Sequence, residues 1–284
     1  MYLKKNLLVL LLLAIASCSS SNTNIINQHS IGIINYGNDN KNIKKYQKLE
    51  EYLGTELNSA IEIEPVYNEI RALQQISSKK WDLVFAPPGL AAIAISRYGY
   101  EPVMPLEGRD RTRSAIVVRN DSPDTERRDL AGKTITLGQK GSATGYYLPL
   151  YNLYGLNFKE ILYAPTPKNI LQQISEGKTA AGALSLEEYN LYRRDFPPNT
   201  FRVLYLDKHN IPPGAILVSD RIERNQEAQI ISKLIETPSF ISSSVGFLTK
   251  QELPDYDYLV KVIERVQQIS QPSTASPSKP LNNE

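Results

Sequence analysis

The segment Gly138 to Tyr147, GQKGSATGYY, holds the densest set of groups in the chain suited to gripping an anion. Three glycines and two hydroxyl residues stand where an apolar strand-like run meets a helical one. A helix start offers unpaired backbone N–H groups and the positive end of a dipole, and Ser142 and Thr144 add side-chain donors. The segment is not a Walker-type phosphate loop, because no Lys-Ser/Thr pair follows the last glycine. On the pattern alone, helix capping by Ser142 or Thr144 accounts for these residues as well as an anion cradle does.

Four further places offer chemistry. Tyr67 falls at the end of a strand-like run in EPVYNE (64–69), where its phenol could donate to a ligand oxygen or be buried as a core aromatic. In APPGL (86–90) the paired prolines Pro87 and Pro88 stiffen the turn before a helix, which is either a structural turn or one that lets the first N–H groups of the helix face a cleft. Arg109, Arg111 and Arg113 form a loop run, either an oxyanion clamp or a solvated stretch. His209, two residues after Asp207 and just ahead of Pro212, Pro213 and Gly214, could reach a ligand or stand exposed.

Enzyme signatures are missing. There is no G-x-S-x-G elbow, no H-E-x-x-H and no cysteine beyond Cys18. Only two histidines occur, His29 and His209, so paired-histidine metal ligation is excluded and no cofactor is implied. The sequence therefore reads as a binder rather than a catalyst.

The elements that must position these groups alternate. Ser30 to Tyr36 is β-branched and apolar, as a buried parallel strand requires. Ile43, Tyr46, Leu49, Leu53 and Leu57 recur at helical spacing, Ile61 to Tyr67 is a strand, and Ile70, Leu73 and Ile76 mark a short helix. Asp82 to Ala86 is a strand before the helix Leu90 to Tyr98. A second strand–helix series runs from Ser114 to Val218, and helices from Asn225 to Ile235 and from Tyr256 to Ser270 close the chain. This is an α/β pattern of two lobes, each a mostly parallel sheet flanked by helices, with the ligand cleft between them. The expected division is 30–115 plus 219–270 for lobe 1, 116–218 for lobe 2, and a disordered tail over 271–284.

The N-terminus has the order of an export signal: Lys4 and Lys5, an apolar run from Leu7 to Ala14, then small residues before Cys18. The run is too short to span a bilayer. Ile15-Ala16-Ser17-Cys18 looks like a bacterial lipobox, so residues 1–17 are expected to be removed and Cys18 to carry lipid, with a flexible leash over 18–29. Without Lys4 and Lys5, 30 basic residues stand against 30 acidic ones. Such a neutral chain has no basic surplus for nucleic acid. A lone lipidated cysteine leaves no disulfide, so the core alone must hold the fold.

The strings VYNEI (66–70), WDLVFAPPGLAAIA (81–94), LAGKTITLGQKGSATGYYLPLYNLYGL (130–156) and YAPTPKNIL (163–171) resemble the phosphate-, phosphite- and phosphonate-binding components of ABC importers. The resemblance covers about Ile31 to Val266, and DLAGK (129–133) followed by a strand and the Gly/Ser/Thr loop is its most specific part. It implies a type II periplasmic-binding-protein fold, monomeric, closing on a small oxyanion for a membrane permease, with the hinge near Ser114 to Val118 and Ala215 to Ser219. By motif position, Ser142 and Thr144 with the N–H groups of Ala143 and Gly145 would hold the oxyanion, and Tyr67 would donate from the other lobe. Two departures stand out: Pro87 and Pro88 replace an aromatic, and Thr166, Pro167 and Lys168 replace a histidine. No carboxylates match those expected around an aminoalkyl group, which favours phosphite, phosphate or a short alkylphosphonate. A sensor docking on a kinase, a sulfonate-like binder and a surface phosphoesterase are the alternatives.

Overall fold

The computed structural model describes residues 27–35, 43–108 and 112–270. Cys18 and its export segment, Arg109, Arg111 and the 271–284 tail lie outside the described residues. The chain opens with β1 (Gln28–Ile34), α1 (Gln47–Leu57), β2 (Ala60–Val66), α2 (Glu69–Ser77), β3 (Leu83–Ala86), α3 (Pro88–Tyr98) and β4 (Tyr100–Pro105). It then crosses to β5 (Ser114–Arg119), β6 (Thr134–Leu137), a π-helical turn Ala143–Tyr147 running into α4 (Leu148–Asn152), β7 (Glu160–Tyr163), α5 (Pro167–Ser175), β8 (Ala181–Ser185), α6 (Leu186–Tyr192) and β9 (Phe201–Leu206). It returns as β10 (Ala215–Ser219), α7 (Arg224–Ile235), α8 (Ser239–Val245) and α9 (Asp257–Ser270).

Two five-stranded sheets result, ordered β2-β1-β3-β10-β4 and β7-β6-β8-β5-β9. In each, the first three strands are parallel and the fourth runs against both neighbours. The sheets are therefore mixed, because the strand that enters each lobe after a crossing is inserted antiparallel. That membership moves the boundaries read from the sequence: β5 lies wholly in the second sheet and β10 wholly in the first. The crossings lie between β4 and β5 and between β9 and β10, not in the strands on either side. They are tied to each other by Leu106 N–H to Gly214 O at 2.9 Å and Ile211 N–H to Thr112 O at 2.7 Å.

The start of the first lobe also differs from the expectation. His29, placed in the leash by sequence, is in β1 and only 6% exposed. β4 and α8 had no expected counterpart; β4 is an edge strand interrupted by Pro102 and Pro105, which local periodicity does not reveal.

β1 carries Gly32 where the ring of Trp81, itself 0% exposed, lies flat against the strand; a Cβ at 32 would overlap the indole. The Trp81 Nε1–H donates to Glu64 Oε2 at 3.2 Å, satisfying the one polar atom of the ring. α3 is buried along Gly89 to Ala94, as its almost uniformly apolar sequence demands, and ends at Gly99 in the left-handed region (φ 65°). α9 packs on α3, on α4 and on the 143–147 turn, so Leu259, Val262, Ile263 and Val266 share one apolar cluster with Leu90 of lobe 1 and Tyr147 and Leu148 of lobe 2.

At the amino end of the first sheet Asp82 is buried and takes Ser30 N–H at 2.8 Å and Arg221 Nη2–H at 2.7 Å. Burial alone would raise its carboxyl, but the hydrogen bonds from His29, Ser30 and Arg221 outweigh it and hold the group below its ordinary range. A carboxylate depressed in the folded state stabilises fully above its unfolded pKa, about 3.9, and loses that contribution as pH falls toward the folded value. Asp82→Asn is thus expected to melt below wild type at pH 7, with the gap closing as the pH drops below about 4. Thermal melts across that range check it; a gap that stays constant with pH would remove Asp82 ionisation from the account.

Candidate ligand-binding site

Every strand-to-helix turn at the carboxyl ends of the sheets needs a residue that bridges extended and helical backbone. Asn68 caps α2 by accepting Arg71 N–H at 2.8 Å, Thr166 caps α5 by accepting Asn169 N–H, and Ser185 forms a capping box with Glu188 at α6. Pro87 precedes α3, with Pro88 at its first position. These turns converge from both lobes on a cavity of about 360 Å3.

Its floor is the loop singled out from sequence. Gly138 N–H donates to Gly145 O at 2.8 Å, closing the loop on itself, and Ser142 Oγ accepts Gly145 N–H at 3.0 Å. Ser142 is therefore a cap, and the capping oxygen keeps its own hydrogen to donate. The Gly145 N–H is engaged by that cap, while Gly145 itself lines the cavity. The amides of Ala143 and Thr144 stand at the first positions of the helical turn, where a helix start leaves N–H groups without intrahelical acceptors. Ser114 Oγ–H donates to Thr144 O at 2.6 Å, fixing the loop to β5.

Of the residues singled out beforehand, Ser142, Ala143, Thr144, Gly145 and Pro88 line the cavity together. Tyr67 and His209 do not. Tyr67 stands 49% exposed at the end of β2. His209 lies in the return crossing, with Nδ1 3.0 Å from Asp207 Oδ1 and its ring stacked on Tyr258 at a centroid distance of 4.0 Å. Its Tyr258 partner lies about fifty residues on in sequence, in α9, so the ring braces the crossing against that helix.

Carboxylates that the sequence did not supply are present: Glu69, Glu107 and Glu188 line the cavity, and no lysine, arginine or histidine does so among the described residues. Burial pushes the Glu188 carboxyl up, the hydrogen bonds from Ser185 N–H and hydroxyl pull it partly back, and neighbouring Glu187 raises it again. The S-x-x-E spacing at 185–188 was the legible signal for Glu188. Nothing local places Glu69 or Glu107 there, since each reaches the cavity only because the lobes face each other.

The fold and the position of the cleft can now be set beside known proteins. The family model for the phosphonate ABC-transporter periplasmic substrate-binding protein matches residues 31–239. The chain belongs to that family. Its members are substrate-binding components of transporters, not enzymes. The family's two-lobed α/β architecture recurs in solved structures with low identity. A Xanthomonas citri protein bound to chloride ion is 18% identical over 85% of this chain and 99% of that one, with a TM-score of 0.70. PhnD1 from Prochlorococcus marinus in complex with methylphosphonate is 18% identical, over 86% and 98%, with a TM-score of 0.62. A binding protein component of an ABC phosphonate transporter from Pseudomonas aeruginosa is 14% identical, over 86% of both chains, with a TM-score of 0.63. No helix among the described residues is long and apolar enough to cross a membrane.

Proposed function

We propose that this phosphonate-binding family member captures a small phosphorus oxyanion, such as phosphite, phosphate or an alkylphosphonate, between its lobes and delivers it to an ABC permease while tethered by lipid at Cys18. The observation that carries the ligand reading is the 142–144 segment, whose hydroxyls and amides meet the Pro88 turn of the opposite lobe across the cavity. No formal cation is needed. An oxyanion held by oriented neutral donors in a water-poor cleft gains charge-assisted hydrogen bonds of about 1.5–3 kcal/mol each.

A second reading is favoured by one observation. Glu69, Glu107 and Glu188 place carboxyl groups on the cavity wall, so a ligand that pairs the oxyanion with a positive group, as an aminoalkylphosphonate does, suits that wall better than a bare oxyanion. The cavity, at about 360 Å3, has room for such an extension.

A thermal-shift screen over phosphate, phosphite, methylphosphonate, 2-aminoethylphosphonate and methanesulfonate tests both. Stabilisation by the phosphorus compounds and not by the sulfonate is expected. The largest shift with the aminated ligand decides for the second reading, and no shift with any phosphorus compound rejects both.

A further inference from the structure

The first turn of α3 in lobe 1 and the oxyanion loop of lobe 2 meet at two glycines. A Cβ built on Gly89 would overlap the carbonyl oxygen of Gly141 and stand 2.6 Å from the amide nitrogen of Ala143. A Cβ on Gly141 would stand 2.6 Å from Glu69 Cβ and 3.1 Å from Leu90 Cδ2. Close-packed interiors leave no slack for such overlaps. The nearest obstacles to position 89 all belong to lobe 2, and those to position 141 all belong to lobe 1.

Within lobe 1 the second residue of a helix gains from alanine, which is favoured over glycine by about 0.8–1.0 kcal/mol in a helix interior and by less near its end. Helix propensity thus gives glycine no advantage at 89, and the three atoms nearest a Cβ there all lie in lobe 2. Gly141 has a second one, its φ of 121°, so only Gly89 reports on the contact between lobes alone.

We propose that Gly89 and Gly141 form a side-chain-free latch through which lobe 1 closes, backbone against backbone, on the loop that holds the ligand. Gly89 is then a positioning residue. It sits over the Ala143 amide and lets the cleft shut far enough to exclude water from the oxyanion, and a methyl group at 89 wedges the lobes apart while leaving the loop itself intact. The ligand part of this statement rests on the oxyanion reading above; the steric part does not.

The test uses Gly89→Ala and Gly89→Val, with small-angle scattering for lobe closure and calorimetric titration with methylphosphonate. Wild type is expected to compact on binding. Gly89→Ala should melt unliganded at or above the wild-type temperature, fail to compact fully and bind about tenfold more weakly, because only the closed state gains the contacts of lobe 1. Gly89→Val should be more open than wild type even without ligand. Compaction and affinity of Gly89→Ala equal to wild type would overturn the latch. A fall in its unliganded melting temperature would do the same, since the methyl would then be excluded by the fold and not by closure. If wild type binds no phosphorus oxyanion, the ligand reading fails, and the latch is judged on the unliganded scattering: equal profiles for wild type and Gly89→Val reject it.

Discussion

Replacing Ser142 and Thr144 together by alanine is expected to abolish the stabilisation that methylphosphonate gives, while the unliganded protein still melts cooperatively a few degrees lower. Two effects separate here. Ser142 Oγ holds Gly145 N–H, so its loss removes a helix cap worth about 1 kcal/mol. In a protein of this size that lowers the melting temperature by about 2–4 °C. Each hydroxyl that donates to a charged ligand adds about 1.5–3 kcal/mol, so losing both costs about a hundredfold to ten-thousandfold in affinity. Ligand at a hundred times the wild-type Kd stabilises by about 2.7 kcal/mol, and that shift should vanish in the variant. His209→Ala supplies the control, because its ring lies against Tyr258 and outside the cavity, and it should keep the full shift. A double variant that retains the wild-type response would remove the loop from the binding site.

The largest loss of stability is expected from Trp81→Ala. The indole is wholly buried, lies on Gly32 and donates to Glu64 at 3.2 Å, while the Trp81 carbonyl accepts the Tyr100 hydroxyl at 2.8 Å. Truncation removes the ring, leaves a cavity that the rigid β1 backbone cannot fill, and takes one of the donors from Glu64. Such large-to-small changes cost about 3–5 kcal/mol. A fall of about 6–20 °C in melting temperature follows from the usual scaling. Trp81 is the only tryptophan, so unfolding must be followed by circular dichroism and not by fluorescence. Trp81→Phe, which keeps a ring on Gly32 but loses the donor, should fall between the two. A Trp81→Ala loss under 1 kcal/mol would mean that the site collapses without strain, against the close packing of Gly32 on the ring.

Local pattern carried far in this chain where neighbours in sequence are also neighbours in space. Ser142 and the glycines around it lie at a strand-to-helix junction, and the structure has that junction at 137–143. Thr166 and Ser185 likewise sit at turns that their own side chains cap. His29 failed because one residue at the edge of a polar segment has no local sign of burial; its partner Asp82 is far along the chain. Tyr67 stands exposed at the end of β2, outside the cavity lining. An aromatic at a strand end can turn to the cleft or to solvent, and the alternation of side chains along β2 does not say which edge of the rim it meets.

The sequence by itself determined the alternation of strands and helices, the two-lobed α/β class, the absence of enzyme signatures, and the loop whose hydroxyls and amides suit an oxyanion. These follow from short-range rules: apolar period, capping chemistry and the conformations open to glycine and proline. The tertiary structure alone decided what surrounds that loop. The antiparallel insertion of β5 and β10 sets where the chain crosses between lobes, and the facing of the lobes brings Glu69 and Glu107 to the cavity and Gly89 onto Gly141. Contacts between segments so far apart depend on how two finished sheets are oriented, and no periodicity in either segment encodes that orientation.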